Sequence, residues 1–251
     1  MKRREARNFY LYTAPWLIGF FVLTLYPIVY SFYLMFTDMN LTGVGKFIGL
    51  ENLKYAFTDD PLFIKAFINT LKYVVMFVPS SIILAFFVAL LLSKKVKGLG
   101  FFRTAFYIPY ITSGVAVTIL WGWIYQKDYG IINYVLSLFG IKGVNWLGDK
   151  NIAMISIVIL SLWTIGNNII IMLAGIQDIP QSYYESAQID GAGAIRQIFS
   201  ITLPLCTPTI YFNLIVTIIA AFQVFQQPLI LTNGGPLNST YTAAIHMYNN
   251  G

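Results

Sequence analysis

The chain has 251 residues, 57% of them hydrophobic and only 10% charged, with a formal net charge of +6 and a mean hydropathy of +0.69. Soluble domains of this length carry about 25% charged residues, so the composition excludes a fold surrounded by water and predicts an integral membrane protein. One cysteine excludes an internal disulfide, and one histidine without a Cys/His cluster offers no metal site. The basic residues gather at the ends of apolar runs, a pattern that sets topology and does not make a nucleic-acid surface.

Taken in order, residues 1–10 hold Lys2, Arg3, Arg4 and Arg7 and predict a cytoplasmic N-terminal segment. The apolar run over 11–36 is longer than a signal-peptide core and lacks a small-residue cleavage pattern, so it predicts a retained first span. Residues 37–69 predict an extracytoplasmic stretch of mixed loop and short helix. A second span is expected over 70–92, and a cytoplasmic loop over 93–103 with Lys94, Lys95, Lys97 and Arg103. The third span, 104–125, closes on Trp121, Trp123 and Tyr125, an aromatic belt at one interface. An extracytoplasmic loop over 126–151, a fourth span over 152–174, a polar segment over 175–203, a fifth span over 204–231 and a turn-rich extracytoplasmic loop over 232–251 complete the chain. The two dense basic clusters fall on one side, which the positive-inside rule makes cytoplasmic, and two further crossings bring 175–203 to the same side. The expected fold is an all-α polytopic bundle, and because five crossings leave Gly251 outside, a sixth span is expected beyond it.

The polar segment stands apart from everything around it. Asp178, Glu185, Asp190 and Arg196 would together cost about 10 kcal/mol or more at bilayer depth, which keeps the segment out of the lipid. Ile179-Pro180 favours a helix start, Gln181 to Asp190 reads as a helix, and Gly191 reads as its left-handed C-cap. Ala194 to Ile201 predicts a second short helix, so the two make an elbow that something in water must receive.

The fourth and fifth spans carry uncharged polar residues: Trp163, Asn167 and Asn168 in one, and Asn213, Thr217, Gln223, Gln226 and Gln227 in the other. Helical spacing places Asn213 near Thr217, and Gln223 near Gln226 and Gln227. Such groups hydrogen-bond between helices, worth about 1 kcal/mol per contact, or line a passage suited to a neutral hydroxylated solute. No acidic or basic residue is clearly mid-span, which argues against a proton-coupled carrier. Motifs for phosphate cradling, a nucleophilic serine or a zinc hydrolase are absent from the sequence, which reads as non-catalytic.

Glu185-Ser186-Ala187, then Gly191, then Ile201-Thr202-Leu203-Pro204 resembles the EAA loop of permease subunits of bacterial ABC importers. Tyr26-Pro27, Phe47-Ile48-Gly49-Leu50-Glu51-Asn52, Asn69-Thr70, Phe102-Arg103, Trp146-Leu147-Gly148-Asp149 and Gly234-Gly235-Pro236 extend the likeness to the carbohydrate-uptake branch. Ser186 stands where that family usually has alanine. The resemblance implies a type I (MetI-like) permease in a bacterial cytoplasmic membrane, importing a sugar or related polyol by alternating access. It further implies partners: a cytoplasmic ABC ATPase dimer that holds ATP and Mg, a second permease making a heterodimer, and an extracytoplasmic solute-binding protein. No cofactor falls to this chain. The coupling residues carried over are Tyr184, Glu185, Ser186, Ala187, Asp190, Gly191 and Ala192, with Glu185 making a charged contact to the ATPase, Ala187 allowing close approach and Gly191 forming the joint. The competing reading is an autonomous secondary carrier or channel for a small polar solute.

Overall fold

The structure is a computed structural model that describes residues 2–39, 45–94 and 98–250, with side chains left out at 2–4, 6 and 7. The basic side chains of the N-terminus, and Lys95 and Lys97, therefore lie outside the described residues. The chain divides into two units, Met1–Ile64 and Lys65–Gly251.

In the first unit, α1 (Lys2–Gly19), a π turn (Phe20–Leu25) and α2 (Tyr26–Leu34) form one run, apolar over Asn8–Leu34 and 27 residues long. At 1.5 Å per residue that is about 40 Å, enough to cross a bilayer. The π turn has a local cause. Pro27 has no N–H to continue the α ladder, and the Tyr26 N–H reaches back to the Phe21 carbonyl instead. Strands β1 (Thr37–Asp38) and β2 (Lys46–Phe47) pair antiparallel, with Thr37 opposite Phe47. Asn52 of α3 (Glu51–Thr58) bonds from Nδ2 to the carbonyls of Met35 and Thr37 at 3.1 and 3.0 Å, tying this small helix to the strand.

The helix that holds the expected second span begins before residue 70. Asp60 Oδ1 accepts from the N–H groups of Leu62 and Phe63 at 2.8 and 3.2 Å, capping a helix start that makes α4 run Phe63–Ser93, 31 residues. Three expected spans are bent pairs. Helices α5 (Leu99–Ile111) and α6 (Gly114–Ile124) meet at 98°, where Thr112 and Ser113 turn extended with ψ of 147° and 121°. After α7 (Ile131–Leu138), α8 (Ala153–Trp163) and α9 (Gly166–Gln177) meet at 51°. The polar segment holds α10 (Gln181–Ile189), α11 (Ala194–Gln197), a π turn (Ile198–Thr202) and α12 (Leu203–Leu205). Its last stretch bends by 66° into α13 (Thr207–Phe222), after which α14 (Gln226–Thr232) and α15 (Ala243–Asn250) follow.

The fifth span therefore does not run unbroken to residue 231. Pro228 lacks the N–H that would pair with the Val224 carbonyl, so the ladder opens at Gln223–Phe225, and Thr242 Oγ1 supplies a donor to Val224 at 3.1 Å. Part of the expected loop over 232–251, Ala243–Asn250, is helix, and the turn before it is fixed to α4. Lys65 Nζ donates to Leu237, Asn69 Nδ2 to Asn238 and Tyr241, and Thr70 Oγ1 accepts from the Ala243 N–H at 2.9 Å.

Among the described residues, two single helical runs and three bent pairs are each long and apolar enough to cross a membrane. Within the second unit, α4 is the spine. Ala85, Ala89 and Leu92 pack with Ile169, Met172, Ile176 and the buried Cys206. Tyr73, Val74 and Val78 pack with Met154, Ile157, Ala221 and Val224. Helix α9 needs glycine where it crosses its neighbours: a Cβ on Gly166 would stand 2.5 Å from the Phe106 carbonyl oxygen of α5, and one on Gly175 would stand 2.5 Å from Thr209 Oγ1 of α13.

Candidate functional site

Helix α10 follows Pro180, whose ψ of 132° turns the chain out of α9. It ends on a Schellman motif: Gly191 has φ +76°, its N–H bonds to Gln188 at 3.0 Å and the Ala192 N–H bonds to Ala187 at 2.8 Å. A Cβ at Gly191 would meet nothing within 4 Å, so the requirement for glycine there is conformational and not spatial.

The expected second helix over Ala194 to Ile201 is present as a continuous helical run, Ala194–Leu205, whose middle is π and not α. Pro204 lacks an N–H, and the Leu203 N–H reaches Ile198 across a π turn, as happens before Pro27. This turn is bonded back to α10. Tyr184 Oη and Thr202 Oγ1 lie 2.9 Å apart, Thr202 Oγ1 also reaches the Gln197 carbonyl at 3.4 Å, and Gln197 Nε2 donates to the Ala192 carbonyl at 2.8 Å. Both arms of the elbow are thus held together by side chains of its own.

Helix α10 consequently has two faces. Gln181, Tyr184 and Gln188, at helical spacing, line a cavity of about 570 Å³. Glu185, Ser186 and Asp190 are exposed, Ala187 and Ala192 are half-buried, and Gly191 is exposed. Ile189 is 87% exposed and Ile195 74%, an apolar surface on a polar segment. The sequence reading missed both residues. Their signal was present, since neither isoleucine continues the apolar face of a span.

The eight polar candidates of the fourth and fifth spans do not form one site. Asn168 Nδ2 donates to Thr217 Oγ1 at 2.8 Å, joining α9 to α13. Thr217 and Asn213 are buried on one stripe of α13, as their spacing predicts, and Asn213 Nδ2 has no partner among the described residues. Trp163 is exposed and meets Trp121 edge-on with ring centroids 6.0 Å apart. Asn167 is half-buried. Gln223 is exposed at the end of α13, and Gln226 and Gln227 are half-buried on α14. Gln223 and the pair Gln226 and Gln227 lie on opposite sides of the opening between α13 and α14. Gln226 lies against Gly114, where a Cβ would stand 2.7 Å from its Oε1. The break between α13 and α14 is thereby set beside the break between α5 and α6.

Residues 61–251 match the family model described as binding-protein-dependent transport system inner membrane component. The Probable ABC transporter permease protein YesP of Bacillus subtilis is 38% identical over 98% of this chain and 81% of its own length. The Sulfoquinovosyl glycerol transport system permease protein SmoG of Agrobacterium fabrum is 35% identical over 96% of this chain and 79% of its own. Among solved structures, a bacterial alginate ABC transporter in complex with an alginate pentasaccharide-bound periplasmic protein contains a chain that superposes with a TM-score of 0.77 at 25% identity, covering 100% of this chain and 86% of that one. The chain belongs to the family of binding-protein-dependent transport system inner membrane components.

Proposed function

We propose that this permease moves a sugar or related polyol across a bacterial cytoplasmic membrane, driven by ATP that a separate ATPase dimer binds with Mg and hydrolyses. The observation that carries the reading is the two-faced elbow: Glu185 and Ile189 exposed on one side, and the Tyr184–Thr202 bond fixing the other to the base of the fifth span. A segment free to dock on its outer face and braced on its inner face transmits displacement from a soluble partner to the bundle. Relatives named for sulfoquinovosyl glycerol, arabinooligosaccharide and trehalose/maltose transport support a carbohydrate cargo.

In this reading the N-terminus and the elbow are cytoplasmic, a second permease completes the pathway, and a solute-binding protein delivers cargo from outside. Glu185 makes a charged contact with the ATPase, Ile189 fills an apolar part of its groove, and Gly191 with Ala192 holds the angle between the two arms. Asn168 and Thr217 hold α9 against α13, so these two helices move together. Asn167, Gln223, Gln226 and Gln227 remain the amides with surface to offer a hydroxylated solute.

The test is to purify the chain in mild detergent with the products of neighbouring genes. The expected result is a complex with an ATPase and a second permease whose ATP hydrolysis rises with one sugar and its binding protein. Uptake by the isolated chain under an ion gradient, indifferent to ATP, would instead support a secondary carrier.

A further inference from the structure

The cavity behind the elbow has a composition that coupling alone does not explain. About 570 Å³ in volume, it is an open cavity lined by the end of α4, the start of α5, the end of α9, and α10 with α11 and its π turn. That size falls within the range of about 300–1,000 Å³ that small-molecule sites occupy. Two cations line it, Arg103 and Lys94, together with the amides of Gln177, Gln181 and Gln188 and the ring of Tyr184. No described residue that lines it is acidic.

Arg103 is partly buried, and its Nε is shut away from water with no hydrogen-bond partner among the described residues. An atom that water cannot touch is out of reach of an occupant too, so Arg103 enters the chemistry of the cavity through its charge and the rest of its guanidinium. Buried cations in native proteins are paired. Here no described carboxylate comes from the lining, whose glutamine amide oxygens and Ser93, Tyr184 and Thr202 hydroxyls are neutral acceptors beside the two cations. The planar guanidinium fork matches tetrahedral oxyanions bidentately, and a neighbouring ammonium adds a point charge. Basic pockets between helix ends at the cytoplasmic surface are a recurring form of headgroup site.

We propose that this cavity binds a phosphate group, carried by an anionic lipid headgroup or by a soluble phosphate ester. Arg103 holds the phosphate oxygens, Lys94 contributes charge at the mouth, and the glutamine amides take the remaining acceptors or hydroxyls. Because the lining comes both from the elbow and from the ends of α4 and α5, an occupant bridges the moving and the static parts and biases the elbow toward one position. The bias on transport rests on the permease reading above; the binding does not.

The experiment uses the assembled transporter. In one arm, nanodiscs of phosphatidylcholine with or without 20 mol% phosphatidylglycerol are compared by native mass spectrometry for retained lipid. In the other, detergent-solubilised complex is titrated with glycerol 3-phosphate and with inorganic phosphate while the thermal midpoint is followed. Retention of phosphatidylglycerol alone identifies a lipid site, and a saturable midpoint shift with glycerol 3-phosphate identifies a soluble ester. Arg103→Gln is expected to weaken whichever binding is seen by about tenfold or more, Lys94→Gln by a smaller factor, and Lys150→Gln, far along the chain in an exposed loop, to leave it unchanged. Lys94→Gln keeps the test open should Arg103→Gln fail to assemble. Binding in neither arm, or equal binding by wild type and both cavity variants, overturns the proposal. Subunit assembly and sugar-stimulated ATP hydrolysis, measured on the same samples, report separately on the permease reading.

Discussion

The hydroxyl groups of Tyr184 and Thr202 lie 2.9 Å apart, joining the first helix of the elbow to the π turn that leads into the fifth span. Thr202 is 2% exposed, so water cannot easily replace the bond. Removing either hydroxyl, as Tyr184→Phe or Thr202→Val, should cost about 1 kcal/mol of coupling between the two arms. The expected outcome is uptake reduced about fivefold per ATP hydrolysed, with subunit assembly intact. The double variant should be no worse than either single one. Additive losses would show that the two residues act separately.

Ile189 exposes an apolar side chain to solvent in the isolated chain. If an ATPase groove covers it, Ile189→Ala removes about 1.5–3 kcal/mol of burial and should weaken subunit association more than tenfold. Glu185→Lys reverses a charge beside it and should abolish association while leaving membrane insertion normal. Affinity capture of the ATPase from detergent measures both.

Gly166 sits where α9 crosses the backbone of α5, with a Cβ position 2.5 Å from Phe106 O and 3.0 Å from Tyr107 Cα. Backbone cannot step aside as a side chain can. Gly166→Ala is expected to lower stability by about 1–3 kcal/mol, read as a depressed thermal midpoint. Gly19→Ala, with nothing within 4 Å, is the matched control and should not be destabilising.

Asn133 organises the loop between α6 and α8. Its amide bonds to the carbonyls of Lys127 and Val144, the Val144 N–H and the Trp146 ring N–H, at 2.8 to 3.0 Å. Asn133→Ala removes all of these and should release the loop, with faster proteolysis over residues 127–146. Asn133→Asp, which keeps the acceptor and loses the donors, should fall between wild type and Ala.

The elbow was legible in the sequence because its signals are local. A proline before a helix and a glycine after it act within one turn, and charged residues show at once that a segment stays out of lipid. The bends within the third, fourth and fifth spans were not legible in the same way. Pro228 is visible in the chain, but the helix opens there at tolerable cost only because Thr242, 18 residues beyond Val224, donates to the freed carbonyl. Likewise, Gly166 is an ordinary helix-weakening residue until the α5 backbone lies against it. Hydropathy reports that a run can enter a membrane and is blind to whether it enters straight. For the polar candidates, Asn168 and Thr217 show that an amide in a span can satisfy a neighbouring helix, while Asn213 keeps a buried donor with no partner among the described residues.

The π turn before Pro204 has a geometric consequence of its own. It holds one residue more than an α turn would over the same hydrogen-bonded stretch. Drawing that surplus residue out of the ladder would rotate everything before it by about 100° and advance it by about 1.5 Å. The turn before Pro204 thus differs from the helices on either side of it by one residue's share of rotation and rise, and the Tyr184–Thr202 bond holds it in that setting.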